Sequence, residues 1–260
     1  MFLADYIIPL YNSGDVDWKY RLSNINDILN VIPDNINILI VFQNPNNDIE
    51  FDPVERENLT VLNLTNYSGP FNKSWLYNHG VKNSVTNKIF LGESDVTMIT
   101  HRYFEKVCPL FNRTWAIAWD KITYFDINGK PEKIMKPQPG KAEGGIVYFN
   151  KNYYMRIGGA NEFYRDLGGI DNDIARRAEF KAGYNIIPSN INHLWHPKNN
   201  MKCNDWKYSK YRDINKGIYK FVRKSPENEI KRLRKYVHSI GDEEGPLVSR
   251  FKEYPHIRKG

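Results

Sequence analysis

KIFLGESDVTMI (residues 88–99) reads as an apolar strand that ends in two acids. Ile89, Phe90 and Leu91 form the run, and Gly92 breaks it. Glu93 and Asp95 follow with one residue between them, before the chain returns to Val96 and Met98. One Asp is enough to make a turn, so the second acid asks for a partner. An acid-x-acid pair at a strand end brings two carboxylates near one point, where a hard divalent cation such as Mn2+ or Mg2+ can be shared with phosphate oxygens. The same pair also fits an ordinary solvated turn, and alone it does not choose between them.

Upstream, strand and helix signals alternate. DYIIPLY (5–11) is an apolar run stopped by Asn12, Ser13 and Gly14. KYRLSNINDILNVI (19–32) sets Leu22, Ile25, Ile28, Leu29 and Ile32 at helical spacing. NINILIVFQN (35–44) and NLTVLNLTN (58–66) are two further strands, and KSWLYNHGVKNSV (73–85) is a helix leading into the acidic strand. This alternation predicts an α/β fold with a mixed, mostly parallel sheet flanked by helices. Ligands in such sheets sit beyond the carboxyl ends of the strands, where the acid pair lies.

Downstream the pattern loosens. RTWAIAWDKITYFD (113–126) reads as strands or a hairpin with a turn at 127–129, and GIVYFN (145–150) as a strand after a Pro/Gly loop. KNYYMRIGG (151–159) is a short helix ended by glycine, and GGIDNDIARRAEFKAGY (168–184) an acidic turn opening a helix that Gly183 closes. NIIP (185–188) is a strand, and INHLWHP (191–197) follows it. The reading gives a domain over 1–200 and a basic lid with a helical extension over 201–260, packed on it. PKNNMKCNDWKYSKY (197–211) carries Asn and Lys with little apolar periodicity and is expected to be the lid, ordering when ligand binds.

Composition narrows the class. The 260 residues are 41% hydrophobic and 26% charged, enough for a sizeable core. Six Trp, 17 Tyr and 13 Phe argue against disorder. Nothing approaches the roughly 20 apolar residues of a membrane span, and the amino terminus carries Asp5 in place of a basic leader. Cys108 and Cys203 lie far apart in sequence, with no metal-type spacing. A cytoplasmic protein with reduced thiols is therefore expected, with a single disulfide as the alternative. The net charge of +7, gathered toward the carboxyl end, fits phosphate-rich or acidic partners as well as a solvated surface. NEIKRLRKYVHSI (228–240), read as a helix with Ile230, Leu233 and Val237 on one side, suits docking on its own domain or peripheral contact with an anionic membrane.

Two further clusters carry chemistry. In LGGIDNDIARR (167–177), Asp171 and Asp173 stand at a helix start. Capping explains one of them, and a general base acting on a hydroxyl is the competing role. Gly168 and Gly169 before them would let a substrate approach the backbone. In HLWHP (193–197), His193 and His196 are three apart, which on a turn or short helix brings both imidazoles to one side. With Asp95 they form a mixed nitrogen and oxygen metal set; a satisfied core histidine is the alternative.

In this order, the segments resemble the GT-A glycosyltransferases, a Rossmann-like fold. The likeness is to the β-1,4-galactosyltransferase group and related galactosyl- and N-acetylgalactosaminyltransferases, including bacterial chondroitin-type polymerases. YIIPLYN (6–12) is similar to the strand that lies along uracil and ribose, and FNKSWLYNHG (71–80) to the helix Phe-Asn-Arg-Ala-x-x-x-Asn-x-Gly. FLGESDVTM (90–98) falls on Asp-Val-Asp, LGGIDNDIARR on Trp-Gly-Gly-Glu-Asp-Asp-Asp, and HLWHP on a Met and a His three apart. EGGIVYFNKNYYMRIGGANEFY (143–164) resembles the Phe-Gly-Gly-Val-Ser-Ala stretch of the family.

The resemblance implies a UDP-sugar donor, Mn2+ or Mg2+, and transfer to an acceptor hydroxyl with inversion. It places Asp95, His193 and His196 on the metal, and Pro9, Tyr11, Arg21, Phe71, Lys73 and Glu93 around the nucleotide, Lys73 replacing an arginine at a phosphate. Asp171 falls on the base, with Asp173 competing. Leu167, Ile170 and Asn172 depart from the family at acceptor-binding positions, so a different acceptor is expected: an acidic or hydroxylated polysaccharide, or hydroxylated bases of DNA. A nucleotidyltransferase and an inactive sugar-binding relative are the other readings. The sequence leaves the sugar and the oligomeric state open.

Overall fold

The computed structural model describes residues 1–11, 18–45, 47, 49–100, 102–107, 113–140, 142, 144–165, 168–196 and 211–250. The expected lid, apart from Tyr211, and both cysteines lie outside the described residues.

Four strands run parallel: β1 (Ala4–Tyr11), β2 (Ile36–Gln43), β3 (Leu59–Leu64) and β4 (Lys88–Leu91), with β1 between β2 and β4. All eight positions of β2 are buried, which is why INILIVFQ reads as a continuous apolar run and not an alternating one. α1 (Trp18–Val31) and α2 (Lys73–Asn83) connect these strands and send Ile25, Ile28, Leu29, Trp75, Leu76 and Val81 into the same core. The sheet continues through β9 (Val147–Asn150), antiparallel to β4, to β6 (Trp115–Ile117). The mixed, mostly parallel sheet flanked by helices is thus as expected.

A second sheet was not expected. β5 (Val96–Met98), β10 (Asn190–His193), β7 (Lys121–Phe125) and β8 (Pro131–Met135) pair in that order. Segment 113–126 is therefore strands but no hairpin, since β6 stays in the first sheet while β7 crosses to the second. The hairpin is β7–β8, closed by Asp126, whose carboxylate accepts from Asn128 N (2.9 Å) and Lys130 N (2.8 Å). NIIP is not a full strand: it makes a single bridge, Ile186 to Ile117.

The opening stretch joins the two sheets. β4 ends at Leu91, Gly92 donates to Ile7 O at 2.9 Å, and β5 begins four residues after Gly92. A Cβ at Gly92 would lie 2.4 Å from the Tyr6 hydroxyl, so a larger residue would have to push the buried Tyr6 aside where the chain leaves the parallel sheet. Glu93 and Asp95 sit on this crossing.

α3 (Tyr103–Val107) follows β5, α4 (Lys151–Arg156) is capped by Asn150, and α5 (Ile170–Ala182) ends at Gly183 with φ 74°. α6 (Arg212–Lys224), α7 (Pro226–Leu233) and α8 (Leu247–Arg250) form the basic extension. Ile218, Val222, Leu233, Ile240 and Leu247 share a buried cluster with Phe163, Tyr164 and Ile170, so the extension closes its own core against the α5 region. The helix read over 228–240 stops at Leu233 and tightens into a 3₁₀ turn, Arg234–Tyr236. Ile230 and Leu233 are buried within the protein, so its apolar side is already used and not free for a membrane. Among the described residues no helix is long and apolar enough to cross a membrane.

Asn72 and Asn78 explain the Phe-Asn…Asn-x-Gly pattern structurally. Asn72 caps α2 by accepting from Trp75 N (2.9 Å) and donates to Glu162 O and Tyr164 O. Asn78 donates to Ala160 O and to the Glu162 carboxylate, both at 2.8 Å. Glu162, fully buried, also accepts from Gly241 N (2.6 Å) and Leu247 N (2.8 Å), clamping the carboxyl-terminal segment onto α2; burial pushes it up to about 7.

Candidate active site

Asp95, His193 and His196 come together, their ligand atoms all within 4.8 Å of one another. Antiparallel pairing of β10 with β5 sets His193 opposite Val96, and Leu194 N donates to Asp95 O at 2.7 Å. The expected turn or short helix for the two histidines is not what forms: His193 ends a strand, and His196 lies in the irregular segment after it. The contact is made across strands and not by helical spacing.

The donor set fits a divalent cation. Asp95 Oδ2 is 3.3 Å from His196 Nε2 and 3.8 Å from His193 Nε2. Ligand atoms about 2.1 Å from one ion stand roughly 3.0–3.5 Å apart in octahedral or tetrahedral geometry, so only a small shift is needed. His193 Nδ1 lies 3.0 Å from Leu194 O; donating there, the ring keeps its Nε2 lone pair for an ion. The His193 ring stacks on Tyr124 with centroids 4.4 Å apart. Burial works against ionisation of Asp95, but His193, His196 and Arg21 outweigh it and hold the carboxyl well below its usual range.

The second group is Lys73, Glu93 and Asp171. Lys73 opens α2 and forms ion pairs with Glu93 and, at 2.8 Å, with Asp171. Burial alone would lower Lys73, yet the two carboxylates raise it above its ordinary value. Burial, with Asp171 and Asp95 adding to it, pushes Glu93 up to about 8 against the pull of Lys73. Tyr77 donates its hydroxyl to Gly92 O (2.7 Å) and also lies 3.3 Å from Glu93 Oε1.

Asp171 and Asp173 part company. The N-cap of α5 is Gly169, at φ 89° and without a side-chain capping bond, so neither acid caps the helix. A Cβ on Gly169 would sit 2.7 Å from the Tyr164 ring; the tightness read as room for a substrate is contact with the chain itself. Asp171 faces Lys73 and the cavity. Asp173 is fully buried, paired to Arg177 at 2.6 Å and bonded by Asn161 at 3.2 Å. As a base competing with Asp171 it is misplaced, because its oxygens are engaged away from the cavity.

Lys73, Glu93, Asp95, Asp171 and His193 line one cavity of about 300 Å³. Tyr124, Gly144 and Gly145 complete its wall and were missed in the sequence; the paired glycines before β9 were the available signal. The other nucleotide candidates lie outside this lining. Pro9 is buried in β1 opposite Val41, Tyr11 stacks on Phe71 (5.2 Å, 26°), and Arg21 donates to Ser94 Oγ at 3.4 Å.

No family model matches the chain, and no curated protein sequence does. Solved structures do resemble it. GalNAc-T7 with UDP, GalNAc and Mn2+ gives a TM-score of 0.51 at 11% identity, covering 90% of this chain and 55% of that one. The mannosyltransferase PcManGT from Pyrobaculum calidifontis, with GDP-Man and Mn2+, gives 0.49 at 14% identity over 92% of this chain and 70% of that one. The catalytic domain of Drosophila β1,4-galactosyltransferase 7 with xylobiose gives 0.41 at 13% identity over 76% and 66%. The likeness to GalNAc-T7 shows the fold, which is the GT-A one, and the chain spans little more than half of that structure's length.

Proposed function

We propose that the protein is a glycosyltransferase that moves a sugar from a nucleotide-diphosphate sugar, UDP-linked by the family resemblance, to an acceptor hydroxyl. One observation carries the reading: of the Asp95, His193, His196 ligand set, Asp95 and His193 line the cavity that also holds Lys73 and Asp171. The likeness to GalNAc-T7, solved with UDP, GalNAc and Mn2+, supports it.

Asp95, His193 and His196 would hold Mn2+ or Mg2+, which when bound supplies charge neutralisation for a diphosphate leaving group. Lys73 adds a fixed positive charge beside it. Asp171 accepts the acceptor's hydroxyl proton as that oxygen bonds to the anomeric carbon. The anomeric carbon–phosphate oxygen bond breaks, the nucleoside diphosphate leaves, and attack from the opposite face inverts the configuration. Glu93 lines the cavity, and the Tyr77 hydroxyl, 3.3 Å from its Oε1, helps to fix it. A carbohydrate acceptor is the reading we favour; neither the site nor the comparisons support DNA.

The test is donor hydrolysis across UDP- and GDP-sugars with Mn2+ present or chelated. Slow hydrolysis of one donor that stops on chelation is the expected result. Hydrolysis of none, with no nucleotide bound in the presence of metal, overturns the reading.

A further inference from the structure

Lys73 is the one permanently charged cation among the described residues lining the cavity, and it is already occupied. Its side chain is 11% exposed and bridges Glu93 and Asp171. The lining sets three acidic side chains, Glu93, Asp95 and Asp171, around that one ammonium. A diphosphate arriving beside Asp95 therefore meets carboxylates around the ammonium it needs.

The two holders of Lys73 are not equivalent. Glu93 is 16% exposed and lies within reach of the Tyr77 hydroxyl, whereas Asp171 is 28% exposed and stands in the first turn of α5. Both acids compete for one ammonium, and the more exposed partner, Asp171, yields to water and ligand at the smaller cost. The Asp171 oxygen paired with Lys73 is also turned to that ammonium and not to an incoming hydroxyl.

We propose that Lys73 is a positioning residue that holds Asp171 in the donor-free protein, and that a donor diphosphate displaces Asp171 from it. The candidate base is then released only when a donor is present. This rests on the glycosyltransferase reading above. It differs from a permanent structural ion pair in one respect: diphosphate and Asp171 oppose each other's hold on Lys73, and such coupling is reciprocal.

The test is calorimetric titration of UDP, and separately of inorganic pyrophosphate, with Mg2+ into the full chain, Asp171→Asn, Lys73→Met and the double variant. Lys73→Gln replaces Lys73→Met if the latter fails to fold. Asp171→Asn is expected to tighten both ligands by about 5-fold or more, although it removes the proposed base. In the Lys73→Met background the gain vanishes, and all Lys73→Met proteins bind more weakly than the original. Equal or weaker binding by Asp171→Asn, or a gain that persists without Lys73, overturns the coupling and leaves the glycosyltransferase reading standing. Absence of UDP binding from every protein overturns both.

Discussion

Asp171 and Asp173 stand two residues apart on α5, and each meets a basic side chain: Lys73 for the first, Arg177 for the second. Their surroundings differ in closure. Around Asp173 the circle is complete: Asn161 bridges it to Glu229, Arg232 binds Glu229 at 2.6 Å, and Arg177 also donates to Ile157 O. Two buried acids are matched by two guanidiniums, and α7 is thereby tied to α5. Around Asp171 the circle is open, because Lys73, Glu93 and Asp95 line a cavity. One helix turn thus carries a closed ionic network on one side and an open one on the other. A buried pair left without a partner is strongly destabilising, whereas an open one retains valence for a ligand. Closed clusters hold the fold and open ones receive chemistry.

The largest effects should separate the two acids. Asp171→Asn is expected to lower the transfer rate by about 10²–10⁴-fold with little change in the thermal midpoint. Asp173→Asn leaves the Arg177 guanidinium buried without its carboxylate and should cost about 3–5 kcal/mol of stability, while the folded fraction retains its turnover. Paired denaturation and steady-state kinetics check both. If Asp173→Asn instead abolishes turnover in a stable protein, the division between the clusters fails.

Next comes the ion. His196→Ala should weaken Mn2+ binding by more than the roughly 10–100-fold expected from losing a merely orienting partner, measured by metal titration against a fluorescent competitor. Glu229→Gln, in the closed cluster, should leave that affinity unchanged.

The residues of the open cluster were legible in the sequence because signals weak one by one, a strand end, a helix start and a His pair, came in the order of a known family. What brings them together was not legible. β5, β7, β8 and β10 are three to five residues long, and they pair across separations set by tertiary packing. The histidines were placed near each other for the wrong local reason, since strand pairing and not helical spacing positions them. The parallel sheet was readable because β1 and β2 are long, nearly fully buried runs flanked by turn residues. Asp173 was misjudged because a carboxylate's partner, here Arg177 one helical turn on, does not show which way the pair faces.

A smaller effect tests whether the crossing at Gly92 serves the open cluster. Gly92→Ala forces a Cβ to within 2.4 Å of the Tyr6 hydroxyl, where Tyr6 is wholly buried, and should cost about 1–3 kcal/mol. The strain falls on the segment carrying Glu93 and Asp95, so Mn2+ affinity should decline with stability. Tyr6→Phe in the same chain removes the nearest of three clashing atoms, leaving ring carbons at 2.5 and 2.6 Å, and should recover only a small part of both. Recovery of stability without recovery of metal affinity would show that the loop is positioned by something other than this contact.

The smallest effect belongs to the clamp on the closed side. His79 Nδ1 lies 2.9 Å from Gly241 O, with Lys82, Asp242 and Glu243 as its charged neighbours. Burial lowers His79 below its ordinary 6.5 and outweighs the Gly241 carbonyl and the two acids. The folded protein therefore favours the neutral ring. Its contribution to stability is complete above the unfolded pKa and is lost as the pH falls below about 6.5 through the lowered folded value. His79→Gln keeps a neutral donor that cannot titrate. The difference in thermal midpoint between the two proteins should thus shift against the original chain on going from pH 7.5 to 5.5. The shift should appear as loosening of the carboxyl-terminal segment, seen as faster amide exchange at 236–250, while Mn2+ titrations at pH 7.5 stay alike. A pH-independent difference would mean that His79 keeps one protonation state throughout and that the clamp rests on Glu162 and Asp242 alone.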